Sequence, residues 1–290
     1  MSEPKILLAA GGDERFAGLA GLLAADPRYT VYAIGLGGAP APGVRCLEEL
    51  SELRQQPDIL VLPLPLSADG VHLKAPFYQK SPILLRYLLN LGYRGSRVYC
   101  GKAGGDFKRE CAARGLVLTD YLDDEAFTVK NAAATAEAAL VLAASLRRRA
   151  LFDSKVLVLG GGRIAKRLCA ILAACGAAVT CAARAPEQRA WAMLSGAEAV
   201  PLSAIPNPSR FDLVFSTIPQ PVFGESELSR LSPGCLLIEL GSDPGGIDEK
   251  AAAALGLSLQ KAPSLPGRMM PESAAQWLWE LILQKEAELL

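Results

Sequence analysis

The stretch Lys155-Val-Leu-Val-Leu-Gly-Gly-Gly-Arg-Ile-Ala165 decides how this chain is read. Consecutive apolar residues form a short buried strand, three glycines end it, and helical periodicity follows to about Ala174. From Gly160 the spacing is G-x-G-x-x-A, in the strand-turn-helix setting that gives a glycine pattern its meaning. Gly160 permits the tight turn, Gly162 lets the backbone approach a pyrophosphate, and Ala165 allows close helix-strand packing. Arg163 and Ile164 open a helix whose free amides and dipole face the phosphates. A dinucleotide-binding domain is therefore predicted around this bend.

Further along, Cys181-Ala-Ala183 ends the next strand without the acidic residue that would accept the ribose hydroxyls, and Arg184 stands there instead. An arginine pairs with a 2′-phosphate and no carboxylate repels it, so NADP is expected rather than NAD. Gln188 and Arg189 lie close enough to assist, although surface solvation explains them equally well. Thr217, Ile218 and Pro219 follow the next core strand at its carboxyl edge, where their backbone is expected to border the cofactor. Glu239-Leu-Gly-Ser-Asp243-Pro-Gly-Gly246 occupies the equivalent edge after the strand beyond that. There Gly245 and Gly246 serve either a close approach to the nicotinamide or a structural turn.

The same alternation of apolar runs and helical segments occurs twice in matching order. Strands are predicted at 5–9, 30–34, 58–62, 97–100 and 117–119, and again at 155–159, 178–182, 212–216, 235–238 and 258–260. The predicted class is α/β, with two doubly wound parallel-sheet domains, the second a Rossmann domain. The expected organisation is an N-terminal domain at 1–130, a connecting helix at 131–153, the nucleotide domain at 154–268 and a C-terminal helix at 269–290. That last helix starts at Pro271 and is expected to return to the first domain, with Trp277 and Trp279 as packing anchors. Arg147, Arg148 and Arg149 could pass for a phosphate patch, but read as a basic last turn of the connecting helix that complements its dipole. Gly11-Gly12-Asp13 also follows a strand but lacks the second spaced glycine, so no second nucleotide is expected. Its edge, with 63–70 and 101–105, is expected to face the cofactor across a cleft that holds substrate.

Length and composition bound the rest. The 290 residues are 51% apolar, with 30 Lys+Arg against 30 Asp+Glu. No broad basic surface points to nucleic acid or an anionic membrane. The first residues make a poor signal peptide, and no run of ~18 uninterrupted apolar residues is present, so a cytosolic protein is expected. The seven cysteines form no C-x-x-C pair and read as small core residues, not a disulfide framework or a metal site.

In combination, several of these segments resemble the family of the dipicolinate synthase A-subunit. The matching residues are Gly11-Gly12-Asp13, Thr135-x-Glu137, the strand and bend from Val156 to Arg163, and Gly176 to Val179. Ala183-Arg184, Thr217-Ile-Pro219, Pro244-Gly-Gly246 with Asp248, and Ala262-Pro-x-Leu-Pro-Gly267 leading to Pro271 continue the match. The segment Leu265 to Gln276 makes the resemblance specific, whereas Leu64-Pro65-Leu66 and 101–105 depart from the family pattern. The resemblance implies a dehydrogenase subunit with a formate/glycerate-dehydrogenase-like first domain. It also implies oxidation of a dihydrodipicolinate-type ring, drawn from the lysine pathway, to pyridine-2,6-dicarboxylate. Further implications are a partner in the form of a smaller, flavoprotein-like B-subunit, a role in endospore formation, and a place in the cytoplasm of the mother cell. A homo-oligomer is compatible with this reading.

Aromatising such a ring removes a hydride and a proton, so the chemistry needs orientation more than a strong acid or base. Ser67, Lys102 and Arg268 are the candidate carboxylate donors. Glu137 is the candidate proton acceptor, beside Thr135, and for both a position near a helix start offers capping as the competing role. Lys74, Lys80 and Arg86 read as ordinary solvated charges. A D-2-hydroxy-acid dehydrogenase is the first alternative, but that chemistry uses a histidine paired with a carboxylate. The single histidine, His72, is expected to lie outside any such pair. The second alternative is a non-catalytic NADP-binding protein that serves a catalytic partner.

Overall fold

Each half of the chain builds its own six-stranded, wholly parallel sheet. A computed structural model describes residues 3–288. Met1, Ser2, Leu289 and Leu290, the outer ends of the expected first domain and C-terminal helix, lie outside the described residues. The chain begins with β1 (Lys5–Ala10), α1 (Glu14–Ala24), β2 (Tyr29–Ile34), β3 (Arg45–Cys46), β4 (Ile59–Val61) and α2 (Leu85–Leu91). It continues with β5 (Arg97–Cys100), α3 (Gly105–Arg114), β6 (Val117–Asp120) and the long α4 (Glu125–Leu146). The second series runs β7 (Lys155–Leu159), α5 (Arg163–Ala174), β8 (Ala178–Ala183), α6 (Pro186–Leu194), β9 (Glu198–Pro201) and β10 (Leu213–Ser216). It ends with α7 (Glu225–Leu228), β11 (Leu236–Glu239), α8 (Glu249–Ala254), β12 (Ser258–Lys261), α9 (Leu265–Met269) and α10 (Pro271–Ala287).

The strand orders are β3-β2-β1-β4-β5-β6 and β9-β8-β7-β10-β11-β12, the same doubly wound order in both sheets. The order reverses between β1 and β4 in one sheet and between β7 and β10 in the other. Ligands of such folds lie beyond the carboxyl ends of strands at these reversals. The sixth strand of each sheet, β3 or β9, escapes the sequence reading because edge strands carry charge and proline in place of an apolar run.

Two compact units result. One is the chain up to Lys130 together with the residues from Pro266 onward, and the other is Asn131–Leu265. In the first, Phe16, Leu19 and Leu23 of α1 and Leu278, Leu281 and Ile282 of α10 share one apolar cluster with β1, β2 and β4. The C-terminal helix thus covers one face of the first sheet. Its position is pinned by Glu286, 2% exposed, which accepts from Tyr99 Oη at 2.8 Å and pairs with Lys5 at 3.2 Å and Arg97 at 3.0 Å. Leu85, Leu88, Phe107 and Cys111 of α2 and α3 fill the other face. In the second unit, Leu157, Val214 and Leu237 anchor a cluster closed by Phe211, Phe223 and Leu228.

The helix expected at 131–153 occupies Glu125–Leu146. It starts earlier because Asp124 accepts the Phe127 amide at 2.8 Å, satisfying one of the first-turn donors. It ends before the three arginines, so Arg147, Arg148 and Arg149 are not its last turn. By length and hydropathy alone α4 is long and apolar enough to cross a membrane, and 39% of that apolar window is buried inside the protein. The cysteines also need correction. Cys46 on edge strand β3 and Cys175 at the end of α5 are exposed, whereas the other five are buried thiols.

Candidate functional site

In the second unit the bend after β7 is built as the fingerprint requires. Gly160 has φ +110°, and its amide donates to Ala182 O at 2.9 Å. A Cβ there would collide with the Thr217 hydroxyl and press on Ile218 Cγ1, so the ends of β7 and β10 close together only over glycine. Thr217 reinforces this contact, its amide and hydroxyl both donating to Leu159 O, at 2.9 and 3.0 Å. Cys181 Sγ donates to Gly160 O at 3.2 Å from β8. Gly160, Thr217 and Ile218 are thereby brought together at the reversal of strand order, with Pro219 exposed beside them.

Gly162 differs from its neighbour. It precedes α5 with φ −77°, and a Cβ on it would meet no atom within 4 Å. Nothing in the protein itself demands glycine there; the room lies over the first turn of a 12-residue helix, whose leading amides have no intrahelical acceptor. Arg163 and Ile164 form that first turn, and buried Ala165 packs it against the sheet.

Arg184 follows β8, is exposed, and its side chain makes no hydrogen bond or ion pair with any described residue. Its neighbour Arg189, left open between assisting and simple solvation, has a structural task. The Arg189 guanidinium donates to Ala183 O at 3.0 Å and Arg184 O at 2.6 Å, bracing the turn that presents Arg184. Gln188 packs its side-chain stem where a Cβ of Gly161 would fall.

The loop after β11 is organised by Glu239, 3% exposed. Its carboxylate accepts from the amides of Gly241 at 2.7 Å, Gly246 at 2.8 Å and Ile247 at 3.0 Å. Burial pushes its pKa up, and the three amides hold it back. The buried Ser216 hydroxyl adds a weak contact without hydrogen-bond geometry. Gly245 and Gly246 are accounted for by this packing, since a Cβ on either would run into Glu239 or Ser216.

Thr135 and Glu137 are not at a helix start. Both lie inside α4, so capping is not their role. The Thr135 hydroxyl, buried, donates to Asn131 O one turn back at 2.7 Å. The Glu137 carboxylate is half-exposed and pairs with Arg167 of α5 at 3.0 Å. Asn131, unremarked in the sequence, holds a buried amide oxygen that has no partner among the described residues. A lone asparagine in an alanine-rich run gave no signal of this.

The first unit repeats the bend but closes it. The Gly12 amide donates to Lys74 O at 2.8 Å, and the Phe16 ring occupies the space of a Gly12 Cβ. Asp13 is gripped by the buried Arg15 through Nε at 2.8 Å and Nη2 at 2.9 Å, and Nη2 also donates to Leu64 O at 2.8 Å. Gly267 packs directly on the Asp13 carboxylate. Lys74, expected to be a solvated charge, is half-buried and has no partner among the described residues. Burial pushes its pKa down, Asp13 partly restores it, and Arg15 adds to the depression.

The candidate carboxylate donors fall on this unit's carboxyl edge with unequal freedom. Ser67 is committed to a turn, donating to Asp69 Oδ1 at 3.0 Å and accepting from the Gly70 amide at 2.9 Å. Lys102, at φ +61°, has its backbone amide on Asp120 at 3.0 Å and its side chain in solvent. The link Leu66 N to Gly101 O at 2.8 Å holds these two turns side by side. Arg268 on α9 is exposed. His72, expected outside any carboxylate pair, in fact has Nδ1 2.7 Å from Asp69 Oδ2. That bond, with the His72 and Val71 amides, holds the Asp69 carboxyl well below its usual range. The i,i+3 spacing of Asp69 and His72 was the available signal. Here the pair caps a surface turn.

Against known proteins, residues 7–122 match the N-terminal domain of the dipicolinate synthase A-subunit. The chain is 25% identical over 236 residues to the dipicolinate synthase A-subunit of Bacillus subtilis (strain 168), covering 81% of this chain and 80% of the relative. The crystal structure of the corresponding A-subunit from Bacillus halodurans superposes with a TM-score of 0.85 at 23% identity, over 97% of both chains. Apo D-lactate dehydrogenase from Escherichia coli shares the fold more loosely, with a TM-score of 0.61 at 13% identity over 97% of each chain. The match to that N-terminal domain covers the first sheet, and the similarity to the Bacillus subtilis A-subunit extends over 81% of the chain.

Proposed function

We propose that this chain is an NADP-dependent oxidoreductase subunit that takes a dihydrodipicolinate-type ring to pyridine-2,6-dicarboxylate, working with the B-subunit of a dipicolinate synthase. The observation that carries the cofactor half is the unfilled space over Gly162, at a helix N-terminus, together with the exposed Arg184, whose side chain has no partner among the described residues. These residues fit a phosphorylated dinucleotide. Glycine is sterically dispensable to the protein at 162 yet necessary if a pyrophosphate is to approach, and no carboxylate stands at the end of β8 to oppose a 2′-phosphate. Gly160, Gly162, Arg163 and Ile164 would cradle the pyrophosphate, Arg184 the extra phosphate, and Thr217, Ile218 and Pro219 would border the remainder. When bound, the nicotinamide supplies a hydride acceptor.

For the substrate, the similarity to dipicolinate synthase A-subunits and the chemistry of a flat diacid support cationic and hydroxyl donors. Lys102 and Arg268 have free side chains to offer; Ser67 would have to leave its turn. Thr135 would donate only by giving up Asn131 O. Glu137 would accept the ring proton from within its ion pair with Arg167. The cytoplasm of a sporulating cell is the proposed setting.

The test is turnover. Purified chain, alone and with its proposed flavoprotein-like partner, is given the dihydro compound with NADP+ or NAD+. NADPH absorbance appearing together with the pyridine dicarboxylate supports the proposal. Cofactor binding without turnover, even with the partner present, favours a non-catalytic NADP-binding role.

A further inference from the structure

The three arginines after α4 do not complement a helix end, and their surroundings give them another use. Arg147, Arg148 and Arg149 line a cavity of ≈ 600 Å³ with Asp212, Ser232 and Gly234. It lies where β10, β11 and β12 begin, the edge of the second sheet opposite the glycine bend. Its volume falls in the range of small-molecule sites.

Charge and hydrogen bonding give the class of occupant. Arg147 Nη2 donates to Ser154 Oγ at 3.0 Å, but Arg147 Nη1 is buried with no acceptor among the described residues. Arg148 is exposed and has no partner among the described residues, and Arg149 is 3.8 Å from Asp212 Oδ1, beyond hydrogen-bond reach. Asp212 uses its other oxygen to accept the Lys155 amide at 2.9 Å. Three guanidinium groups therefore face a single carboxylate, and one buried N–H is left unanswered. An oxyanion in the cavity would meet Arg148 and Arg149 directly, and Arg147 Nη1 once that side chain turns outward to gain the acceptor it lacks.

We infer that this cavity binds a small multivalent oxyanion, carrying phosphate or carboxylate groups, through Arg147, Arg148 and Arg149. The site is separate from the proposed cofactor bend and does not depend on it. Pyrophosphate and citrate, titrated separately into the full chain at constant ionic strength, distinguish the two sources of that chemistry. Saturable binding of at least one is expected, weakened about tenfold in Arg147→Met and in the exposed Arg148→Gln. Gly162→Val, which closes the glycine bend, should bind the same anion as the parent chain does. Arg148→Gln and thermal melts keep the test decisive where Arg147→Met fails to fold. The inference is overturned by any of three results: neither anion binds saturably, a folded Arg148→Gln chain binds as the parent does, or Gly162→Val is the variant that loses binding.

Discussion

The two glycine bends make the comparison that teaches most about this protein. Both follow the first strand of a sheet with the same strand order, and both lead into a helix of similar length. In the first unit the space is filled by the chain's own atoms: Lys74 O, the Phe16 ring and the Asp13–Arg15 pair. In the second unit Gln188 fills the space over Gly161, but Gly162, which precedes α5 as Asp13 precedes α1, has open space over it. Topology creates the crevice in both cases; side-chain packing decides which crevice stays available.

Substitutions at the two bends should do opposite kinds of damage. Gly12→Ala forces a Cβ into Phe16 at φ +104° and should lower stability by about 3 kcal/mol, read from a urea midpoint, with NADP affinity intact in the folded fraction. Gly162→Val should do the reverse, reducing NADP affinity about a hundredfold or more with little change in melting temperature. If both variants lose stability and neither loses affinity specifically, the bends are equivalent.

A second asymmetry is the C-terminal helix on the first sheet. Glu286→Ala strands Arg97 and Lys5 beside a buried tyrosine and should cost about 3 kcal/mol. Calorimetry should show the loss while dinucleotide titration stays unchanged. Next in size, Arg184→Gln should weaken NADP about tenfold and leave NAD alone, since only NADP carries the phosphate. Equal losses for both cofactors would remove Arg184 from that role.

The smallest effect expected is a pH dependence. Lys130 pairs with Glu280 at 2.7 Å and holds that carboxyl below its usual range. A depressed carboxylate stabilises above its unfolded pKa, and the contribution disappears as pH falls through the folded value. Both partners are nearly half-exposed, so screening keeps this below about 0.5 kcal/mol. Lys130→Met should flatten that part of the acid limb, and an identical limb in the variant would show that the pair contributes nothing.

Ten of the strands, the α/β class and the fingerprint bend were legible because each is a local pattern: an apolar run of fixed period, or glycines at fixed spacing. Edge strands β3 and β9 were not, because they carry no apolar period. The candidate site was legible only in part. Arg184 and Gly162 could be named from position along the chain. That Lys74 is half-buried, that Glu137 is tied to Arg167 and that His72 has a carboxylate neighbour depended on how turns close in space.

Two strand-helix series and one bend with G-x-G-x-x-A spacing could be read from residue order alone, because backbone propensity and glycine geometry act over a few neighbouring residues. That the first bend is plugged, that α10 covers one face of the first sheet, and that three arginines meet in a cavity beside one carboxylate among the described residues emerged only from packing in space. Those outcomes depend on contacts between segments far apart in the chain, where excluded volume and burial of charge, not local spacing, set the energy.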